Sequence, residues 1–224
     1  MTDSKHPFIT YKGESYSAEE MIERSKSFYD WANKRRSVRE FSSNPVPKEV
    51  MENILMTASS APSGAHKQPW TFCLISNATL KSKIRELAEE EERKSYEGRM
   101  SKAWLKDLEP LGTEAVKEFI DVAPWIVIVM KRPYEITEEG EKHKNYYVPE
   151  SVGLASGFLL MAIHNAGLVA LTHTPSPMNF IAKALERPEN ERPFLLIPVG
   201  YAAEDAQVPE LTRKSNSDVI EYYD

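Results

Sequence analysis

The chain holds a single cysteine, Cys73, in 224 residues, which excludes an internal disulfide framework. That cysteine lies inside an apolar run, and a reducing, cytoplasmic setting is expected. Glycine is also scarce, with nine residues, and neither common glycine-rich phosphate loop is present. Gly153 and Gly157 are spaced for helix packing instead. There is no Gly-x-Ser-x-Gly elbow. The five histidines (His6, His66, His143, His164 and His173) show no metal-ligand spacing, so no metal is expected. A basic excess is missing too: the net charge is −6 and the pI about 5.5, which argues against a nucleic-acid partner. The longest apolar stretch, residues 153–171, is interrupted by His164 and Asn165 and reads as a buried helix and strand, not a membrane span. The N-terminus is polar from its first residues, so no signal peptide is expected. Asn77-Ala78-Thr79 then matches a glycosylation pattern by chance. With these chemistries set aside, an enzyme of this sequence would take its reactive atoms from a bound cofactor.

What is present is ordinary globular patterning, 41% hydrophobic, enough for one well-packed core. No repeat or long linker divides it, so residues 1–224 read as one domain with residues 1–16 as an extended arm. Ser17-Ala18-Glu19-Glu20 is a capping box opening a helix to about residue 34. Pro47 suits the first turn of a second helix, with Val50, Met51, Ile54 and Leu55 as its buried stripe. Trp70 to Ile75 (WTFCLI) and Trp125 to Met130 (WIVIVM) read as strands buried on both faces. Between them a helix begins near Asn77 and continues toward Tyr96, and a short helix follows from Thr113. Residues 97–112 lose all periodicity apart from Trp104, Leu105 and Leu108, as a mobile lid or a plain surface loop would. Pro149 opens a helix apolar nearly all round, suited to a core or a subunit interface. Strands at 168–172 and 194–199 flank a helix around 179–185. The expected fold class is α+β, a mixed sheet flanked by helices.

Two local signals carry chemistry. Arg35-Arg36-Ser37-Val38-Arg39 places three guanidinium groups and a hydroxyl within five residues, which suits a phosphate, though a solvated basic turn has the same composition. The loop Ala61-Pro62-Ser63-Gly64-Ala65-His66-Lys67-Gln68-Pro69-Trp70 allows close approach of backbone to a flat ligand, or merely connects a helix to a strand.

Together these motifs, with the late Gly200-Tyr201, resemble the nitroreductase superfamily. Ser63-Gly64-Ala65-His66, the acidic stretch 89–92 followed by Tyr96, and Thr172-His173-Thr174-Pro175 are more similar still to the iodotyrosine deiodinases, flavin-dependent reductive dehalogenases within it. The resemblance runs from about Ala18 to the C-terminus. It implies an intertwined homodimer with FMN at the interface. By position, Arg35, Arg36, Ser37, Val38 and Arg39 would hold the flavin, Ser63 would reach it from the partner subunit, and Arg213, or adjacent Lys214, would complete the phosphate site. Thr172 and His173 would meet the ring edge. Thr174 would donate to flavin N5 and is the implied catalytic residue.

The same resemblance implies that Ala65 binds the halotyrosine phenolate through its backbone, and that Glu92, Tyr96 and Lys117 bind its zwitterion. Chemically the trio is sensible. Glu92 and Tyr96 share a helix face, and the substrate offers one ammonium and one carboxylate. A solvated acidic face accounts equally for the rest of 89–92. The implied activity is reduction of 3-iodotyrosine to tyrosine and iodide, with residues 97–112 closing over the substrate. A generalist nitroaromatic or quinone reductase and a non-catalytic halotyrosine sensor are the rival readings. The reductant, NAD(P)H directly or a partner reductase, is left open.

Overall fold

A computed structural model describes residues 6–223, in two compact units, Met1–Arg35 and Arg36–Asp224. In the first unit, helix α1 (Ala18–Ala32) starts at the expected capping box: Ser17 Oγ accepts from Glu20 N–H at 3.2 Å, and Glu20 Oε2 accepts from Ser17 N–H at 2.8 Å. No residue of α1 is buried. Of the expected N-terminal arm, residues 1–5 lie outside the described residues, and 7–16 carry neither helix nor strand.

The second unit contains α2 (Lys48–Ser59), β1 (Trp70–Ile75), α3 (Ala78–Lys94), α4 (Lys102–Leu108), α5 (Phe119–Val122), β2 (Trp125–Lys131), β3 (Tyr134–Ile136), β4 (Lys142–Lys144), α6 (Val148–Asn165), β5 (Val169–Ala170), α7 (Asn179–Ala184), β6 (Arg192–Gly200) and α8 (Asn216–Val219). The main sheet has the order β1-β2-β6-β5, and its named strands pair antiparallel. The parallel contribution to this mixed sheet is a bridge from Ser37 to Ala170. A separate ribbon joins β3 and β4.

Strand alternation explains the layers. Along β2, Val127 and Val129 face a core built on Met51, Ile54 and Ala58 of α2 and Val152, Ala155 and Leu159 of α6. Ile126, Ile128 and Met130 face the opposite core, with Ile84 and Ala88 of α3, Ile120 of α5 and Ile181 of α7. A strand covered on both faces needs no polar alternation, which is why WIVIVM reads as one apolar run.

Some elements differ from expectation. The helix expected from Thr113 begins only at Phe119. Residues 97–112, expected to lack pattern, contain α4 and a 3-10 turn, Glu109–Leu111. Ser101 caps α4, its Oγ accepting from Trp104 N–H at 3.2 Å. Within seven residues helical periodicity barely shows, and the cap is the clearest local sign of α4. The strand expected at 168–172 pairs regularly only over Val169–Ala170, after which single bonds take over: His173 and Leu196 exchange backbone hydrogen bonds at 2.9 Å.

Candidate functional site

α3 supplies the first part of the site. Its buried positions are Lys81, Ile84, Ala88 and Glu92, four residues apart along most of the stripe. Glu92 thus continues an apolar face into the interior, where an unpaired carboxylate would be costly. Its partner is Lys117, whose Nζ lies 3.4 Å from Glu92 Oε2, with both side chains buried. Burial pushes the Glu92 carboxyl above the usual carboxylate range, and the lysine partly offsets this. Burial likewise holds the Lys117 ammonium below the usual lysine range, against the opposing pull of Glu92.

The backbone around Lys117 is bolted to α3. Lys117 N–H donates to Glu89 Oε1 at 2.8 Å, and its ammonium also donates to the Glu114 carbonyl. Arg85 bridges Glu89 and Asp121, at 2.7 and 2.8 Å. Lys81 Nζ donates to the carbonyls of Asp121 and Ala123, at 2.8 and 2.7 Å. Tyr96 follows on a π-helical turn, Ser95–Arg99, a feature that often marks functional positions. Lys117 Nζ stands 5.8 Å from its ring centroid, and its hydroxyl lies 2.6 Å from Thr113 Oγ1.

A second group arrives from the sheet edge. Ser37 bridges to Ala170 and Val38 N–H donates to the Ala170 carbonyl at 3.2 Å, so the segment leaving the basic motif runs beside the strand leading to Thr172. Val38 is buried. Alternation then leaves the Arg39 side chain free to turn away from the core. Arg39 is half-buried and, among the described residues, has no carboxylate partner; burial holds its guanidinium below the usual arginine range. Beyond β5, Thr172 and Thr174 are exposed while His173 is held between them. The His173 imidazole meets Phe119 edge-on at 5.6 Å, and its buried Nε2 has no hydrogen-bond partner among the described residues. Burial, with Lys117 and Arg39 nearby, pushes its pKa down to about 3.

These groups surround one cavity of about 530 Å³, a volume typical of small-molecule sites. Arg39, Glu92, Tyr96, Lys117 and residues 172–174 all line it. Thr113 and Val116, which sequence reasoning missed as site residues, also line it, as do Met100, Trp104, Leu108 and Leu111 of the segment 97–112 expected to close over the substrate. Their signal was present, since 100, 104, 108 and 111 follow helical spacing, but it was split between a π turn, a short helix and a 3-10 turn.

The remaining expected site residues lie off this cavity. Arg35 ends the first unit. Arg36 donates to the Pro209 carbonyl. Ser63 Oγ accepts from Gln68 N–H at 2.9 Å. Ala65 adopts φ 49° and ψ 31°, and His66 and Gln68 also have positive φ, a concentration of backbone strain found mostly at ligand sites. This loop is docked on the start of α6: Gly64 N–H donates to Ser151 Oγ at 3.2 Å, and a Cβ on Gly64 would stand 2.7 Å from Tyr147 Cδ2. Arg213 and Lys214 are exposed just before α8.

The family model for the nitroreductase family matches residues 32–201. The chain belongs to that family. Within it, an iodotyrosine deiodinase of Haliscomenobacter hydrossis is 58% identical over 98% of this chain and 99% of its own length. Iodotyrosine deiodinase 1 of Homo sapiens is 43% identical over 92% of this chain and 72% of its own. In three dimensions, the chain is similar to an oxidized iodotyrosine deiodinase bound to FMN and 3-iodo-L-tyrosine, with a TM-score of 0.73, 30% identity, and coverage of 88% of this chain and 98% of that one. A nitroreductase with bound FMN from Bacteroides fragilis shares the fold at a TM-score of 0.66 and 22% identity, over 87% of this chain and 97% of that one. This nitroreductase-family chain therefore sits among the deiodinases by sequence as well as by fold. No helix among its described residues is long and apolar enough to cross a membrane.

Proposed function

We propose that this nitroreductase-family protein is an FMN-dependent reductive dehalogenase that converts 3-iodotyrosine to tyrosine and iodide. One observation carries the reading: a buried carboxylate and a buried ammonium, 3.4 Å apart, in the same cavity as Tyr96 and Thr174. A zwitterionic amino acid fits such a pair because each of its charges finds an opposite one. The free protein has two desolvated charges facing each other; with the substrate, Glu92 takes its ammonium and Lys117 its carboxylate, giving four alternating charges in place of two.

Other residues of the same cavity suit a flavin. Arg39 is a half-buried cation without a carboxylate partner among the described residues, which favours an electron-rich ring edge or anionic group beside it. Thr172 and Thr174 line the cavity and carry hydroxyls suited to it, and the buried Nε2 of His173 between them has no hydrogen-bond partner among the described residues. FMN, when bound, supplies the two electrons that, with a proton, replace the carbon–iodine bond by carbon–hydrogen. The protein's part is positioning. Glu92, Tyr96 and Lys117 fix the amino-acid end, the backbone of Ala65 meets the phenolate, and Thr174 donates to N5. Residues 97–112 cover the cavity and exclude water, strengthening each charge contact. Arg35, Arg36, Ser37, Val38 and Arg213 hold the rest of the cofactor.

The site is completed in a homodimer, with Ser63 reaching the partner's flavin. The exposed apolar side of α6 supports this: Leu154 and Phe158 are 49% and 41% exposed, and Gly153 and Gly157 have open space above them. Residues 1–224 would form one cytoplasmic domain, reduced by NAD(P)H or a partner reductase. Anaerobic mixing of the dithionite-reduced, FMN-loaded protein with 3-iodotyrosine tests the activity. The expected result is flavin reoxidation with one iodide released per flavin. Reoxidation by nitrobenzene but not by iodotyrosine would assign a general nitroreductase instead.

A further inference from the structure

Tyr96 and Thr113 bracket residues 97–112, yet Tyr96 Oη and Thr113 Oγ1 are 2.6 Å apart in a partly buried setting. The two arrive from different devices. Tyr96 sits on the π turn Ser95–Arg99, where the widened helix turns the chain out of α3. Thr113 follows Gly112, whose left-handed φ of 58° ends the 3-10 turn Glu109–Leu111. The bond therefore ties the entrance of the segment to its exit. Met100, Trp104, Leu108 and Leu111, which lie between, face the same cavity as Tyr96 and Thr113.

Each hydroxyl has one proton to give. A carboxylate placed beside Lys117 only accepts, and Tyr96 is the phenol next to that ammonium. Once Tyr96 donates to a carboxylate, its oxygen is left to accept, and Thr113 is the donor already in place. The result is a chain, Thr113 to Tyr96 to carboxylate, in which each bond polarises the next. We propose that Thr113 is a positioning and specificity-determining residue. Its hydroxyl aims the Tyr96 proton at an amino-acid carboxylate and in the same act clasps residues 97–112 over a zwitterion. A simple phenol, which has no carboxylate, gains nothing from the clasp. The inference rests on the zwitterion reading of this cavity.

The test compares FMN-loaded parent, Thr113→Val and Thr113→Ser proteins, matched for FMN content. Binding of 3-iodotyrosine and of 2-iodophenol is followed by flavin fluorescence, and tryptic cleavage at Lys102 and Lys106 reports whether the segment is closed. Thr113→Val should bind iodotyrosine about tenfold more weakly, as expected for one lost hydrogen bond, and iodophenol as the parent does. It should stay cleavable with iodotyrosine present, and Thr113→Ser should restore both properties. Adding Tyr96→Phe to Thr113→Val should cost little more, since the two act as one unit. Parent-like iodotyrosine binding by Thr113→Val overturns the proposal, as does an equal loss for both ligands, or full additivity with Tyr96→Phe. A parent-like Thr113→Val beside a Glu92→Gln that fails to bind would reject the clasp alone. Parent-like binding by Glu92→Gln as well would reject the zwitterion reading itself.

Discussion

Glu92 and Lys117 form an ion pair at 3.4 Å in which both side chains are buried, in the wall of a cavity that Arg39 and Thr174 also line. Two opposed charges withdrawn from water are an expensive structural device. A hydrophobic pair of similar size would often serve the fold as well.

Breaking the pair should be costly in two separate ways. Glu92→Gln and Lys117→Ala each leave a buried charge without its partner, which typically destabilises by about 3–5 kcal/mol. Each should also weaken 3-iodotyrosine binding by roughly 30-fold or more while FMN content stays at the parent level. Chemical denaturation and fluorescence titration measure the two effects independently.

The raised pKa of Glu92 sets a pH dependence. An ammonium is held only by the ionised carboxylate. As pH falls through a folded-state pKa above the usual 4.5, Glu92 takes up a proton and affinity for the zwitterion drops. The drop should begin at higher pH than an ordinary carboxylate would give, and should vanish in Glu92→Gln. Titrations from pH 4 to 8 with both proteins check it.

His173 should couple stability to pH across an overlapping acidic range. Its folded-state pKa of about 3 lies below the ordinary histidine value of 6.5, so between those limits the unfolded chain binds the extra proton. Stability should therefore rise with pH across that window and be lost as pH falls through it. Replacing the residue, as in His173→Gln, should flatten the slope of unfolding free energy against pH between 6.5 and 3.

Thr174 carries the prediction closest to the chemistry. A hydroxyl donor lost at flavin N5 costs on the order of 1–3 kcal/mol in whichever flavin state it stabilised. Thr174→Ala should dehalogenate more slowly, show less one-electron-reduced flavin during reduction with a halotyrosine analogue bound, and gain relative activity on nitro compounds. Stopped-flow spectra of the two proteins measure all three. An unchanged radical yield would place control of N5 elsewhere.

Much of this arrangement was legible in the sequence because it is local. The capping box at Ser17, the runs WTFCLI and WIVIVM, and Pro149 at the start of α6 each specify an element through residues that stand next to one another. Glu92 was visible only through family likeness, although the stripe Ile84, Ala88, Glu92 marks it physically as the one acidic residue of 89–92 on the buried side of α3. Thr113 stood out in the sequence only as an expected helix start, not as a site residue. Its importance comes from a hydroxyl contact closed across a π turn and two short helices, and the apolar spacing of 100, 104, 108 and 111 along that path does not report such a contact. The β5 edge was overestimated for a related reason: at 171–174 the chain keeps strand-like composition, but only His173 finds a partner on β6.

The most direct test of the central claim is the rate of iodide release from 3-iodotyrosine against 2-iodophenol, measured anaerobically with the reduced, FMN-loaded protein. The two share the carbon–iodine bond and the phenol, and differ in the amino-acid group that we propose Glu92, Tyr96 and Lys117 hold. The account predicts a kcat/KM for iodotyrosine at least about 100-fold higher, as expected when two charge-assisted contacts of about 1.5–3 kcal/mol each are made by one ligand and not the other. Equal values for the two compounds would contradict it.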